Sequence, residues 1–281
     1  MKKTIKIGIF DSGIGGATVL KEILKILPNE NYIYYSDSFN NPYGDKSKEE
    51  LKEICKKIIN ILIQKNCKAI VIACNTASTL SKDLREEYKQ IPIIAIEPAY
   101  KMVYDYAFNK DTLVMATKRT IESNKFNNLL KNYNNNKTYL LPCIGLADAI
   151  EEADKEKIQE FMKKELAKYA GKVQNVVIGC THYALIKEEI KNTLGNVQFF
   201  YGAKNLALHL KDELQKNGLI KNVNESKRVK IKIKHLKISE KYIAKNKISE
   251  NLYKNIEFID SSKNQYKKTR FFEFLSQNTN F

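Results

Sequence analysis

Two cysteines stand in matching contexts. Val71-Ile72-Ala73-Cys74-Asn75-Thr76 and Val177-Ile178-Gly179-Cys180-Thr181-His182 each run from apolar residues through a small residue to a thiol, then to two hydrogen-bonding side chains. Each apolar run reads as a buried parallel strand and each polar pair as a helix start. Each thiol is therefore expected at the carboxyl end of a strand, where open α/β sheets bind ligands. The free N–H groups and positive potential of a helix start favour a thiolate or a bound carboxylate. One such cysteine alone reads as a core residue, whereas two in matched contexts point to a shared site. Thiols on opposite walls of a cleft suit removal of a proton from one face of a carbon and delivery to the other, one acting as base and one as acid. A thiol pKa near ~8.5 can be tuned toward either form. Asp11, ending the first apolar run, could orient one thiol, and His182, two residues after Cys180, could serve the other. Cys55 falls on the apolar face of a helical segment and Cys67 beside a strand start, so both read as core; His209 and His235 carry no motif and read as structural or exposed.

The elements that must hold these residues alternate between strand and helix. Ile5–Phe10 reads as a strand, followed by the turn Asp11-Ser12-Gly13-Ile14-Gly15-Gly16 and a helix near Thr18–Leu27 stopped by Pro28. Tyr32–Tyr35 is a second strand, leading to the loop Pro42-Tyr43-Gly44. Lys48–Lys65 repeats apolar residues at helical period through Leu51, Ile54, Cys55, Ile58, Ile61 and Leu62, ahead of the strand Ala69–Ala73, a helix after Cys74 ending near Tyr88, and the strand Pro92–Ile96. The pattern then restarts: strand Leu113–Met115, helix through Leu130, strand Thr138–Leu141, a largely helical Ala147–Tyr169, strand Val173–Ile178 and helix Leu185–Leu194. Such alternation implies doubly wound α/β layers. Two halves built alike imply two similar domains facing each other, with one cysteine on each side.

The chain has 281 residues and a hydrophobic fraction of 43%, which fits a globular protein able to bury a substantial core. Its longest apolar runs fall far below the ~18 residues of a membrane span, and the basic start lacks an apolar segment long enough for a signal peptide. The expected setting is soluble and cytoplasmic. The five cysteines are odd in number and contain no Cys-x-x-Cys pair, which argues against a disulfide framework or a zinc ribbon. The net charge of +16 comes from lysine; Arg85, Arg119, Arg228 and Arg270 are the only arginines. Base-edge readout and bidentate phosphate binding favour arginine, so nucleic-acid binding is not expected as the primary role.

Five motifs in order, Asp11–Gly16, Pro42-Tyr43-Gly44, Ala73-Cys74-Asn75-Thr76-Ala77-Ser78, Glu97-Pro98-Ala99 and Gly179-Cys180-Thr181-His182-Tyr183, resemble the motif series of cofactor-independent glutamate racemases across about residues 5–220. The glycine-rich turn alone would carry little weight, since it lacks both the P-loop ending and the G-x-G-x-x-G spacing. The resemblance implies two α/β domains related by pseudo-twofold symmetry with the active site in the cleft between them. The first is expected to comprise residues 1–97 and 208–281, the second 98–207. It further implies a homodimer, interconversion of L- and D-glutamate for peptidoglycan, and no cofactor. By the same resemblance Cys74 and Cys180 are the acid/base residues, assisted by Asp11 and His182. Ser12, Pro42, Tyr43, Gly44, Asn75, Thr76 and Thr181 hold the substrate together with Asp11 and His182, while Thr117 and Thr120 look like further carboxylate contacts. Glu151 matches a glutamate that the family places near the site's histidine. The chain departs from the pattern at Asp148, where the family has a proline, and at Tyr201-Gly202-Ala203, in place of the usual Asp-Ser-Gly.

An aspartate racemase of the same superfamily would usually carry Cys-Thr-Glu at the second cysteine, so Cys180-Thr181-His182 favours glutamate. An inactive regulator would be expected to have lost a cysteine, and both are present. Residues 225–281 hold 14 Lys/Arg against 6 Asp/Glu. This segment reads as an elaboration completing the first domain, with Val229–Leu236 as an edge or surface strand; the alternative is a docking surface for an acidic partner or nucleic acid, since some racemases of this family bind DNA gyrase.

Overall fold

The computed structural model describes residues 5–133, 137–220, 255–262 and 265–276. The expected Val229–Leu236 strand and His235 lie outside the described residues.

The apolar runs become two parallel sheets. Strands β1 (Lys6–Asp11), β2 (Tyr32–Ser36), β3 (Cys67–Ile72), β4 (Ile93–Ala95) and β9 (Ile256–Asp260) form the first, in the order β4-β3-β1-β2-β9. Strands β5 (Thr112–Ala116), β6 (Thr138–Pro142), β7 (Asn175–Gly179) and β8 (Gln198–Phe200) form the second, in the order β6-β5-β7-β8. Runs such as Cys67–Ile72 and Asn175–Gly179 are apolar almost throughout because helices cover both faces of each sheet. Five runs end one residue later than the pattern suggests: β1 at Asp11, β2 at Ser36, β5 at Ala116, β6 at Pro142 and β7 at Gly179.

Helix α1 (Ala17–Ile26) follows the glycine-rich turn, and α2 (Lys48–Gln64) is started by Ser47, whose hydroxyl accepts from the N–H of Glu50 at 3.1 Å. The buried face of α2 carries Leu51, Ile54, Cys55, Ile58, Ile59 and Leu62; Ile61, expected on it, is half-buried instead. Short helices α3 (Asn75–Ser78) and α4 (Ser81–Glu87) follow Cys74. Helix α5 (Tyr100–Tyr106) opens the second layer system, which continues through α6 (Lys118–Glu122), α7 (Asn124–Asn132), α8 (Leu146–Glu152), α9 (Lys155–Phe161) and α10 (Lys187–Leu194).

The chain crosses between the sheets twice, at Glu97-Pro98 and at Gly202. A Cβ added to Gly202 would stand 2.5 Å from the carbonyl oxygen of Glu97, so only glycine lets the two crossings run side by side. Beyond Gly202, α11 (Ala203–Lys216) buries Ala203, Leu206, Ala207, Leu210 and Leu214 in the same core as α1. From Ala203 onward the chain packs again on the first sheet.

The C-terminal segment also joins the first sheet. Strand β9 pairs in parallel with β2, and α12 (Gln265–Ser276) buries Phe271, Phe272 and Leu275 in that core. Phe271 packs at 4.4 Å from Tyr34 and 4.6 Å from Phe258, between ring centroids. If this helix is part of the first domain's cooperative core, Phe271→Ala should lower the unfolding free energy by about 3–5 kcal/mol, read from urea melts. A change below about 1 kcal/mol would mean that the helix is a loosely attached appendage.

Candidate active site

Cys74 follows β3 and caps α3; Cys180 follows β7 and precedes the 3-10 turn His182–Ile186. Both are buried, and both line one cleft between the two sheets. Ser12, Pro42, Tyr43, Gly44, Thr76, Thr117 and His182 line the same cleft. Asp11, Asn75, Thr120, Glu151 and Thr181 are buried behind or beside these residues. The matched strand–thiol–helix segments thus face each other, one from each sheet.

The surroundings of the two thiols differ. The Cys74 Sγ lies 3.8 Å from the Ser12 hydroxyl. Burial, reinforced by the Asp11 charge, pushes the Cys74 thiol up to about 12, against the lowering effect of the Ala77 N–H and of Ser12. Asp11 acts on Cys74 through its charge: its carboxylate accepts from the N–H groups of Gly16 (3.0 Å) and Gly13 (3.3 Å) and from the Thr181 hydroxyl (3.2 Å). Burial raises the Asp11 carboxyl from 3.8 to about 6, opposed by the His182 charge and by those N–H groups. Asp11, expected to orient a thiol on the first wall, thereby also ties that wall to Thr181 on the second.

On the other side, the Cys180 Sγ lies 3.8 Å from His182 Nδ1, and His182 Nε2 lies 2.8 Å from Glu151 Oε2. Burial by itself would lower the His182 pKa; the hydrogen bonds to Cys180 and Glu151, with the charges of both, hold it well above its ordinary value. Burial likewise works against ionisation of Glu151, yet the His182 bond and charge, the Ile14 N–H at 2.9 Å and the Lys267 ammonium bring its carboxyl down to about 2. The Ile14 bond carries Glu151 across to the glycine-rich turn. A Cβ on Gly13 would stand 2.3 Å from Glu151 Oε2, so glycine is required for that approach.

The remaining polar groups beside the thiols are neutral hydroxyls and an amide. The hydroxyls of Thr76 and Thr117 meet at 3.0 Å across the two walls, and Thr117 meets Thr120 at 2.9 Å. Thr117 also caps α6, accepting from the Thr120 N–H at 3.2 Å. Asn75 is buried with both side-chain amide atoms unpartnered, a cost that a bound ligand would relieve. The Tyr43 hydroxyl is already engaged, donating to Asp37 at 2.7 Å.

Sequence reasoning passed over several lining residues. Asn41, Lys118, Cys143 and Asp148 all line the cleft. Asp148, one of the two departures from the family pattern, accepts from Asn41 Nδ2 at 2.9 Å and so ties the loop of the first wall to α8 of the second. At the other departure, the Tyr201 hydroxyl meets the Thr18 hydroxyl at 2.6 Å, joining the second crossing to α1. A polar residue near a motif was the available signal for Asn41 and Lys118; the contact of Asn41 with a residue 107 positions away has no local signature. Among the described residues no group of three or more His, Cys, Asp or Glu could hold a metal ion, and no helix is long and apolar enough to cross a membrane.

The chain is similar along most of its length to known glutamate racemases. A glutamate racemase of Clostridium perfringens is 43% identical over 223 residues, covering 77% of this chain and 86% of the relative. The solved glutamate racemase of Francisella tularensis, in complex with D-glutamate, superposes with a TM-score of 0.73 at 29% identity, covering 99% of this chain and 96% of that one. The Escherichia coli enzyme, solved with L-glutamate and the activator UDP-MurNAc-Ala, gives a TM-score of 0.66 at 26% identity, covering 75% of this chain and 83% of that one. Residues 7–209 match the model of the Asp/Glu/Hydantoin racemase family, and with opposed thiols in one cleft the chain belongs to that family and is an isomerase.

Proposed function

We propose that this protein interconverts L- and D-glutamate without a cofactor, by proton transfer between Cys74 and Cys180. The observation that carries this reading is the convergence of two strand-end thiols, from different sheets, on one cleft. The relatives solved with D-glutamate and with L-glutamate support glutamate as the substrate, as does His182 in the place where aspartate racemases usually carry Glu. We further propose that the D-glutamate serves peptidoglycan synthesis and that the enzyme works as a cytoplasmic homodimer, as the resemblance implies.

The reaction follows from the two environments. A thiolate on one wall takes the α-proton: the C–H bond breaks, an S–H bond forms, and the electron pair passes into the α-carboxylate. The thiol on the other wall then loses its proton to the opposite face of the same carbon. Cys74, held up near 12 by burial and Asp11, is poised as the acid; it becomes a base when positive charge, such as the substrate's ammonium, stands beside it. Cys180 has His182 as its partner, and Glu151 fixes the ring and supports its charge. The hydroxyls of Ser12, Thr76, Thr117, Thr120 and Thr181, the Asn75 amide and the Pro42-Tyr43-Gly44 loop are assigned to binding the two carboxylates and the ammonium. Preorganised donors around the carboxylate stabilise the dianionic intermediate in a site that excludes water.

Circular dichroism of L-glutamate incubated with the purified protein and no added cofactor should decay to zero; a stable signal with folded protein would remove this reading. Cys74→Ser and Cys180→Ser should each lower racemisation by at least ~10³-fold. Each variant should still eliminate halide from the β-halogenated glutamate enantiomer whose α-proton faces its remaining thiol, D for Cys74 and L for Cys180. Loss of elimination with both enantiomers in both variants, with binding intact, would exclude opposed bases.

Asp11 adds a test of pH dependence. Its folded pKa of about 6 exceeds the unfolded 3.8, so its ionisation opposes folding: the cost is absent below pH 4 and complete above about pH 6. Two units correspond to about 3 kcal/mol. Asp11→Asn should therefore be more stable than the parent at pH 7 by up to that amount, equally stable near pH 4, and much less active, as urea melts and racemisation assays would read.

A further inference from the structure

The C-terminal helix α12 lies beyond the residues that match the family model, yet it reaches the acid/base machinery. Its Arg270 spans two backbone carbonyls at the end of α8, donating to Glu151 O at 2.6 Å and Ile150 O at 3.1 Å. One turn earlier, the Lys267 Nζ lies 3.1 Å from Glu151 Oε1. The Lys267 side chain is 16% exposed and that of Glu151 1%, so the pair is largely shielded from solvent. The two carboxylate oxygens are thus divided: Oε2 serves His182 and the Ile14 N–H, and Oε1 serves Lys267, with the Ser38 hydroxyl at 3.5 Å.

We propose that Lys267 is a positioning residue for the Cys180 side of the reaction: its ammonium holds Glu151 from behind and divides the carboxylate's charge between itself and His182, while Arg270 clamps the helix in register. This inference rests on the reading of Cys180 and His182 as acid/base partners.

The charges around the pair make the direction of the effect definite. His182 and Glu151 are faced by the Asp11 carboxylate at the end of β1, by Cys180 after β7, by Asp148 from α8 and by Tyr34 from β2, as well as by Lys267. Asp260 on β9 stands one hydrogen bond further away, accepting from Ser38 at 2.7 Å. Among the side chains within 4.0 Å of the Glu151 carboxylate, Lys267 is the one cation besides His182 among the described residues. Without it, the full negative charge of Glu151 acts on the imidazole. The imidazolium is then stabilised further, and His182 gives up its proton less readily.

The test uses the full chain carrying Lys267→Met, Lys267→Gln or Lys267→Arg. His182, His209 and His235 are the only histidines, so imidazole labelling resolves the His182 titration by NMR. Lys267→Met and Lys267→Gln should each raise the His182 transition by at least about half a pH unit. The corresponding limb of the kcat/KM profile should move the same way, with kcat falling about fivefold or more and KM for glutamate within about twofold. Lys267→Arg should restore both readouts. Gln retains a donor for Oε1 without the charge, so it serves if the Met variant does not fold and separates charge from mere packing. The proposal is overturned if both readouts stay at their parental positions in the neutral variants, whatever happens to the melting temperature. A parental protein that does not racemise glutamate would instead defeat the functional reading, while the imidazole titration would still report on Lys267.

Discussion

The carboxylate of Glu151 holds the site together. It is a buried charge, and burial of a charge is tolerated only when hydrogen bonds and opposite charge compensate for lost water. Compensation comes from three directions: the His182 ring, the Ile14 N–H and the Lys267 ammonium. These partners belong to different parts of the fold, namely the turn after β7, the turn after β1 and the C-terminal helix. Satisfying the carboxylate therefore brings the two sheets together at the cleft. The absence of a side chain at Gly13 is a direct consequence, because any Cβ there would collide with the carboxylate.

A second consequence is chemical asymmetry. The chain repeats the same strand–thiol–helix unit, yet one thiol has a hydroxyl neighbour and a nearby buried carboxylate, while the other has an imidazole supported by its own carboxylate. Asp11 and His182 lower one another's cost of burial, since each charge favours the other. The proposed inversion of one carbon passes protons in both directions, so under that proposal the two walls need not match residue by residue; one proton acceptor and one donor on opposite faces suffice.

The crossings between the sheets add a geometric constraint. Gly202 allows the returning chain to lie against Glu97, and α11 then packs on α1. Tyr201 and Asp148, where the chain departs from the family pattern, make hydrogen bonds that link the halves, to Thr18 and to Asn41. The Thr76–Thr117 pair closes the cleft from another side. The polar groups that line the site thus also hold its walls in register.

The strands, the main helices and the two thiols were legible because their signals are local: apolar runs of strand length, helical periodicity, and a small residue before a cysteine. The matching of Val71–Thr76 with Val177–His182 was enough to place one thiol at each strand end, since a parallel strand buried on both faces admits few residue types and ends where polar ones begin. The ends of elements were less legible, as at Ile61 and at the carboxyl end of β1, because they depend on what packs against them. Long-range partnerships had no local trace. That Lys267 meets Glu151, that Asn41 meets Asp148, or that β9 closes the first sheet beside β2 depends on where segments more than a hundred residues apart are brought. The sequence by itself determined at which strand ends the two thiols stand; only the tertiary structure decided which charges surround them, because burial and distance set electrostatic energies and neither is written in the order of residues.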